Sequence, residues 1–93
     1  MLLKYIQHFV TTEGSTFFSN WFDNTLAKMK TVPGFVTAHF IPERNNPCHI
    51  HLFLYFDNEA ALAKWTQTDA HESALKALAP YWTKPYVMQS ATL

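Results

Sequence analysis

The segment from Cys48 to Phe56 limits the fold more than any other stretch of the chain. Ile50, Leu52, Leu54 and Phe56 alternate there with His49, His51, Phe53 and Tyr55. That period of two puts successive side chains on opposite faces of a β-strand. Both sets are largely apolar or aromatic, so the strand needs cover on both sides. Composition points the same way. Of 93 residues, 48% are apolar and 16% aromatic, against only 15% charged. A domain this small buries only roughly 60–70% of the surface its unfolded chain exposes. Some of the apolar surface therefore belongs in a subunit interface or a ligand cavity.

The remaining elements follow from periodicity and breakers. Leu2 to Val10 reads as a first strand, with Leu3, Tyr5, Gln7 and Phe9 on one face and Lys4, Ile6, His8 and Val10 on the other. Glu13-Gly14 breaks it, and Ser15 is the expected N-cap of a helix. Phe18, Trp21, Phe22, Thr25, Leu26 and Met29 then recur at helical spacing, until Pro33-Gly34 ends the helix. Phe35 to Ile41 is a second strand, Pro42 to Pro47 a turn, and Cys48 to Phe56 the third strand. Asp57-Asn58 can cap a second helix through Trp65. A bend is expected near Thr66 to Thr68, because Asp69 to Glu72 has the spacing of a fresh capping box. His71, Ala74, Leu75 and Leu78 share a face of this second piece, Pro80 stops it, and Tyr86 to Thr92 closes the chain as a strand. The order βαββαβ, with no linker or repeat, specifies an α+β fold: one ferredoxin-like domain over residues 1–93 with an antiparallel sheet.

Charge and cysteine usage exclude several functions. Seven basic and seven acidic residues balance, and Arg44 is the sole arginine. No stripe of Lys and Arg exists to displace counterions, so nucleic acid is not an expected partner. An RNA-recognition module shares the element order, but the third strand lacks that module's basic and glycine positions. The single Cys48 forbids an intrachain disulfide and suits a reducing compartment. The opening residues lack a basic segment followed by an apolar one, and no apolar run reaches the roughly 18–20 residues of a membrane span. A soluble, cytoplasmic protein without a membrane partner is expected.

The Pro33-Gly34-Phe35 turn into the second strand and the series Trp65, Thr68, His71 resemble the antibiotic-biosynthesis-monooxygenase-like group of dimeric α+β barrels. The series matches that family's Trp, small hydroxyl residue and His spaced three and three apart, and the resemblance covers nearly the whole chain. It implies a homodimer in which two sheets pack face to face as a barrel, each subunit keeping a pocket between its own sheet and helices. It also implies cofactor-free oxygenation of a small phenol, quinol or anthrone. Such chemistry needs neither flavin nor metal: a base helps form the phenolate or enolate, whose electron density reduces dioxygen directly. The protein then desolvates, orients and stabilises the anion.

The resemblance names three candidate catalytic residues. Gln7 occupies the place where haem-degrading relatives carry an Asn, counted from the glycine corresponding to Gly14, and a carboxamide can both donate and accept. The competing explanation is pairing with backbone at a strand edge. Trp65 would wall an aromatic pocket by stacking, unless it is simply core. His71 titrates near neutrality and suits proton transfer, unless it serves only the helix start. Trp21 and Trp82 are read as core or interface residues, and Cys48 as a structural thiol.

Metal and haem are not expected. His49 and His51 share a strand face, and His39 would join them if the hairpin paired residues 39 and 51, but no carboxylate flanks the group in the sequence. Leu75 stands ten residues after Trp65, where haem-degrading members carry the histidine that ligates iron. Ala61 stands one turn before Trp65, where some polyketide-tailoring members carry an Asn. The alternative to an oxygenase is a non-catalytic homodimer that binds a small hydrophobic ligand. Convergence of Gln7, Trp65 and His71 on one enclosed cavity is the feature that separates the two.

Overall fold

A computed structural model describes residues 1–93. The chain runs β1 (Leu2–Phe9), α1 (Thr12–Met29), β2 (Phe35–Glu43), β3 (Asn46–Phe56), α2 (Glu59–Thr66), α3 (Asp69–Leu78), a short 3₁₀ turn (Ala79–Tyr81) and β4 (Val87–Thr92). The four strands form one antiparallel sheet in the order β2-β3-β1-β4, and α1 and α3 pack against each other across one of its faces. This is the ferredoxin-like α+β architecture expected from the sequence. No helix is long and apolar enough to cross a membrane.

The alternation in β3 does what its period requires. Ile50, Leu52, Leu54 and Phe56 are buried under the helices, while His49, His51, Phe53 and Tyr55 lie half-buried on the uncovered face. Phe18, Trp21, Phe22 and Met29 of α1 meet that inner row, and Trp65 and Leu78 close the core from α2 and α3. Burying such a set removes several hundred Å² of apolar surface from water, at roughly 25 cal/mol per Å².

Several boundaries move for identifiable reasons. The cap of α1 is Thr11, not Ser15: its hydroxyl accepts from the Gly14 amide at 3.1 Å, and the Ser15 hydroxyl instead donates to the Pro47 carbonyl. Gly14 therefore lies inside the first turn rather than in a break. A Cβ there would sit 2.7 Å from the Tyr81 Cβ and 2.8 Å from the Val10 Cβ, so the glycine is a packing requirement. The β2–β3 turn is shorter than Pro42 to Pro47, because pairing continues through Pro42 opposite Ile50 and Glu43 opposite Asn46. Proline is tolerated because β2 is an edge strand, where a missing donor breaks no central ladder. The second helix divides at Gln67, and Thr68 rather than Asp69 caps α3 by accepting from the His71 amide at 3.1 Å. Gly34, at φ 90°, makes the turn into β2 in a conformation that side chains disfavour.

Candidate active site

The inner sheet face and the helices line a partly open apolar cavity of about 140 Å³. Lys4, Ile6 and His8 of β1 form part of its floor with Leu52 and Leu54 of β3. Trp21, Phe22 and Thr25 of α1 wall one side, Trp65 and Thr66 of α2 with His71 and Leu75 of α3 wall another, and Tyr86 and Met88 lie toward the C-terminal strand.

The break between α2 and α3 assembles one wall. In an uninterrupted helix, residues 65 and 71 would point about 120° apart around the axis, since each residue turns the chain by about 100°. The Thr68 hydroxyl donates to the Trp65 carbonyl at 2.7 Å and accepts from the His71 amide, so the chain re-aims between them. Trp65 and His71 consequently face one space, their rings 5.5 Å apart at 80°. This edge-to-face contact fixes the imidazole while leaving it in the cavity wall.

Electrostatics favour neutral imidazoles beside a cation. Burial lowers the pKa of His71 first, and the neighbouring Lys4 ammonium lowers it further by like-charge repulsion, against a smaller upward pull from the Thr66 backbone. His8 is 2% exposed, and desolvation brings its pKa down to about 4. Its ring is held by aromatics: Trp82 lies parallel at 6.2 Å, Trp21 meets it edge-on at 6.1 Å, and Tyr86 is tilted at 5.6 Å. Its Nδ1 is buried with no hydrogen-bond partner. A buried polar atom left unpaired costs about 1–3 kcal/mol.

Of the three residues singled out from the sequence, the structure brings Trp65 and His71 together and separates Gln7 from them. Gln7 lies on the opposite sheet face, where its Oε1 is 2.8 Å from His49 Nε2 and its backbone neighbours are His51 and Val87. Gln7 shares a face with Tyr5 and Phe9, as the alternation requires, but the helices cover the other one. Lys4 and His8 enter the cavity instead. Their position on the alternate face of β1 was legible; that this face is the covered one was not.

On the outer face, Tyr5 Oη lies 2.6 Å from His51 Nδ1, and Tyr5 and Phe53 stack at 5.0 Å. Burial first and the Glu43 carboxylate second hold the Tyr5 phenol above its usual pKa. The register pairs Ile41 with His51 and His39 with Phe53, so His39 stacks on Phe53 and Tyr55 and stays out of the His49–His51 pair.

Solved structures share this architecture. A crystal structure of an antibiotic biosynthesis monooxygenase superposes with a TM-score of 0.88 at 14% identity, over 100% of this chain and 98% of that one. SnoaB, a cofactor-independent oxygenase from Streptomyces nogalater, gives 0.84 at 17% identity, over 99% and 92%. Rv0793 from Mycobacterium tuberculosis gives 0.86 at 9% identity, over 99% and 93%. A search of curated protein sequences finds no match. Residues 1–77 match the sequence profile of the antibiotic biosynthesis monooxygenase family, and with the βαββαβ fold and the cavity already described, the chain belongs to that family.

Proposed function

We propose that the protein is a cofactor-independent monooxygenase acting on a single-ring phenol or hydroquinone. The observation that carries this reading is the pairing of a neutral imidazole, His71, with the Lys4 ammonium at the wall of a dry aromatic cavity. His71 takes the phenol proton, and Lys4 stabilises the phenolate that forms. The anion reduces dioxygen by electron transfer from its own ring. The overall balance is one phenol and one O₂ giving one quinone and one water, or one hydroquinone and one O₂ giving one hydroxyquinone and one water, so no external reductant is required. His8, through its unpartnered nitrogen, receives a second hydroxyl of the substrate, and Trp65 stacks on the ring. Cavity size sets the substrate class: about 140 Å³ is close to the roughly 150 Å³ that accommodates benzene in a protein core.

Two subunits are part of this reading. The outer face carries His49, His51, Phe53 and Tyr55 with Tyr5 and the exposed Ile41 and Val87, a patch that a monomer would leave in water. Packing it against the same face of a second copy gives a two-fold homodimer.

Oxygen uptake tests the proposal. Purified protein, free of added cofactor, should consume O₂ with simple phenols or hydroquinones faster than with three-ring anthrone, and place one ¹⁸O from ¹⁸O₂ in the quinone. Saturable quenching of tryptophan fluorescence with no O₂ uptake above the buffer rate would establish the non-catalytic ligand-binding alternative instead.

A further inference from the structure

The outer face of the sheet, the one proposed above to meet a second subunit, holds a second cluster on the side opposite the cavity. His49 and His51 are two apart on β3, so their imidazoles share a face, with ring centroids 4.6 Å apart. Glu43 of β2 joins them. A regular ladder would continue past Pro42–Ile50, but the register shifts between Pro42 and Glu43, and such an irregularity re-aims a side chain. Its Oε2 lies 3.4 Å from His51 Nε2. The ligand atoms of the three residues all fall within 4.8 Å of one another.

We infer that Glu43, His49 and His51 form a divalent transition-metal site suited to Zn²⁺. Two imidazoles and one carboxylate are a zinc donor set that leaves a fourth position for water. Bonds of about 2.1 Å at tetrahedral angles bring ligand atoms to about 3.4 Å of one another. Glu43 Oε2 and His51 Nε2 already stand at 3.4 Å, so the remaining closure brings the His49 imidazole toward that pair.

The outer ring of partners makes this more than a chance meeting of side chains. Gln7 Oε1, 2.8 Å from His49 Nε2, accepts the proton there and leaves Nδ1 with its lone pair. Tyr5 Oη, 2.6 Å from His51 Nδ1, plays the same part when Nδ1 carries the proton, and Nε2 then faces Glu43. A metal-bound histidine characteristically donates its other ring N–H to a fixed acceptor, and both histidines here have one within reach. Phe9 stacks on His49 at 4.6 Å and stiffens it further. The site ties β2 to β3, with its orienting groups on β1, so a bound ion pins three strands together.

Cobalt and zinc titrations test the inference. The intact protein should bind one Co²⁺ per chain with visible absorption of four-coordinate intensity, Zn²⁺ should displace it, and saturating Zn²⁺ should raise the melting temperature. His51→Ala and His49→Ala should each weaken binding at least 100-fold, Glu43→Gln about 10-fold or more, and Gln7→Leu about 10-fold. His39→Ala, at a ring that packs on Phe53 and Tyr55, should change nothing. The half-exposed Glu43→Gln keeps the test valid if a histidine variant fails to fold, as circular dichroism would show. Co²⁺ binding that is not one per chain, or that survives intact in Glu43→Gln, would overturn the site and leave Glu43–His51 an ordinary ion pair.

Discussion

His8 lies flat against Trp82, with ring centroids 6.2 Å apart and planes within 8° of parallel, and each ring carries a buried nitrogen without a partner, Nδ1 and Nε1 respectively. Next to the pair, Val10 bridges to Trp82 and the Thr83 amide donates to the Phe9 carbonyl. Holding an imidazole there without a charge is possible only because the neutral form dominates.

That relationship makes stability acid-sensitive. The folded pKa of His8, about 4, lies below its unfolded value of about 6.5. Its contribution is therefore complete above pH 6.5 and is lost as pH falls toward 4, by about 3 kcal/mol in total. His71 is shifted in the same direction and adds to the loss. Urea unfolding between pH 7 and pH 4 should show this slope, and His8→Phe, which keeps the stack, should flatten much of it. An unchanged slope in that variant would refute the assignment.

The proposed His71–Lys4 pair should leave a pH signature. His71 acts as a base only when neutral, so the acid limb of kcat/KM should lie below the ordinary histidine value. Lys4 contributes to that depression. Lys4→Met should therefore move the limb upward while lowering the rate by about 10²–10³-fold, the usual loss of one anion-stabilising group. A rate loss with no movement of the limb would separate Lys4 from His71.

Trp65 serves core and cavity at once. It is 3% exposed, and truncation to Ala should cost about 3–5 kcal/mol. Trp65→Phe should retain most of that stability while weakening binding of a phenol, read by calorimetry. Equal losses from both substitutions would mean that the indole is core alone.

The dimer can be read by sedimentation equilibrium at micromolar concentration, where the mass should be twice the chain's 10.8 kDa. Phe53 stacks between Tyr5 and His39 on the outer face. Phe53→Asp places a charge in that patch and should shift the mass toward the monomer. A clean monomer in the unaltered protein would remove the barrel from the reading.

Haem should bind weakly and without saturation at one equivalent. Leu75, where haem-degrading relatives place the ligating histidine, lines the cavity as an apolar wall. His71 stands one turn earlier, roughly 6 Å along the axis. Haem titration followed by ascorbate should show no reductant-driven loss of the haem absorbance band. Stoichiometric binding with turnover would show that His71 or His8 substitutes for the missing ligand.

Period and punctuation made the fold legible. The alternation from Ile50 to Phe56, the stripe from Phe18 to Met29 and the breaks at Gly34 and Pro80 each have a local cause, and local causes are written along the chain. The Trp65–Thr68–His71 series was legible too, because the Thr68 cap that re-aims the helix sits within it. The parity of the sheet was not. Gln7 and His8 are adjacent residues on opposite faces of β1, and alternation says that they differ without saying which one the helices cover. Packing of α1 and α3 decides that, and it puts His8 and Lys4 in the cavity and Gln7 beside His49. Glu43 was hidden for a related reason. Its approach to His51 depends on a register shift at one hairpin, and register emerges only when strands from distant parts of the chain settle against each other.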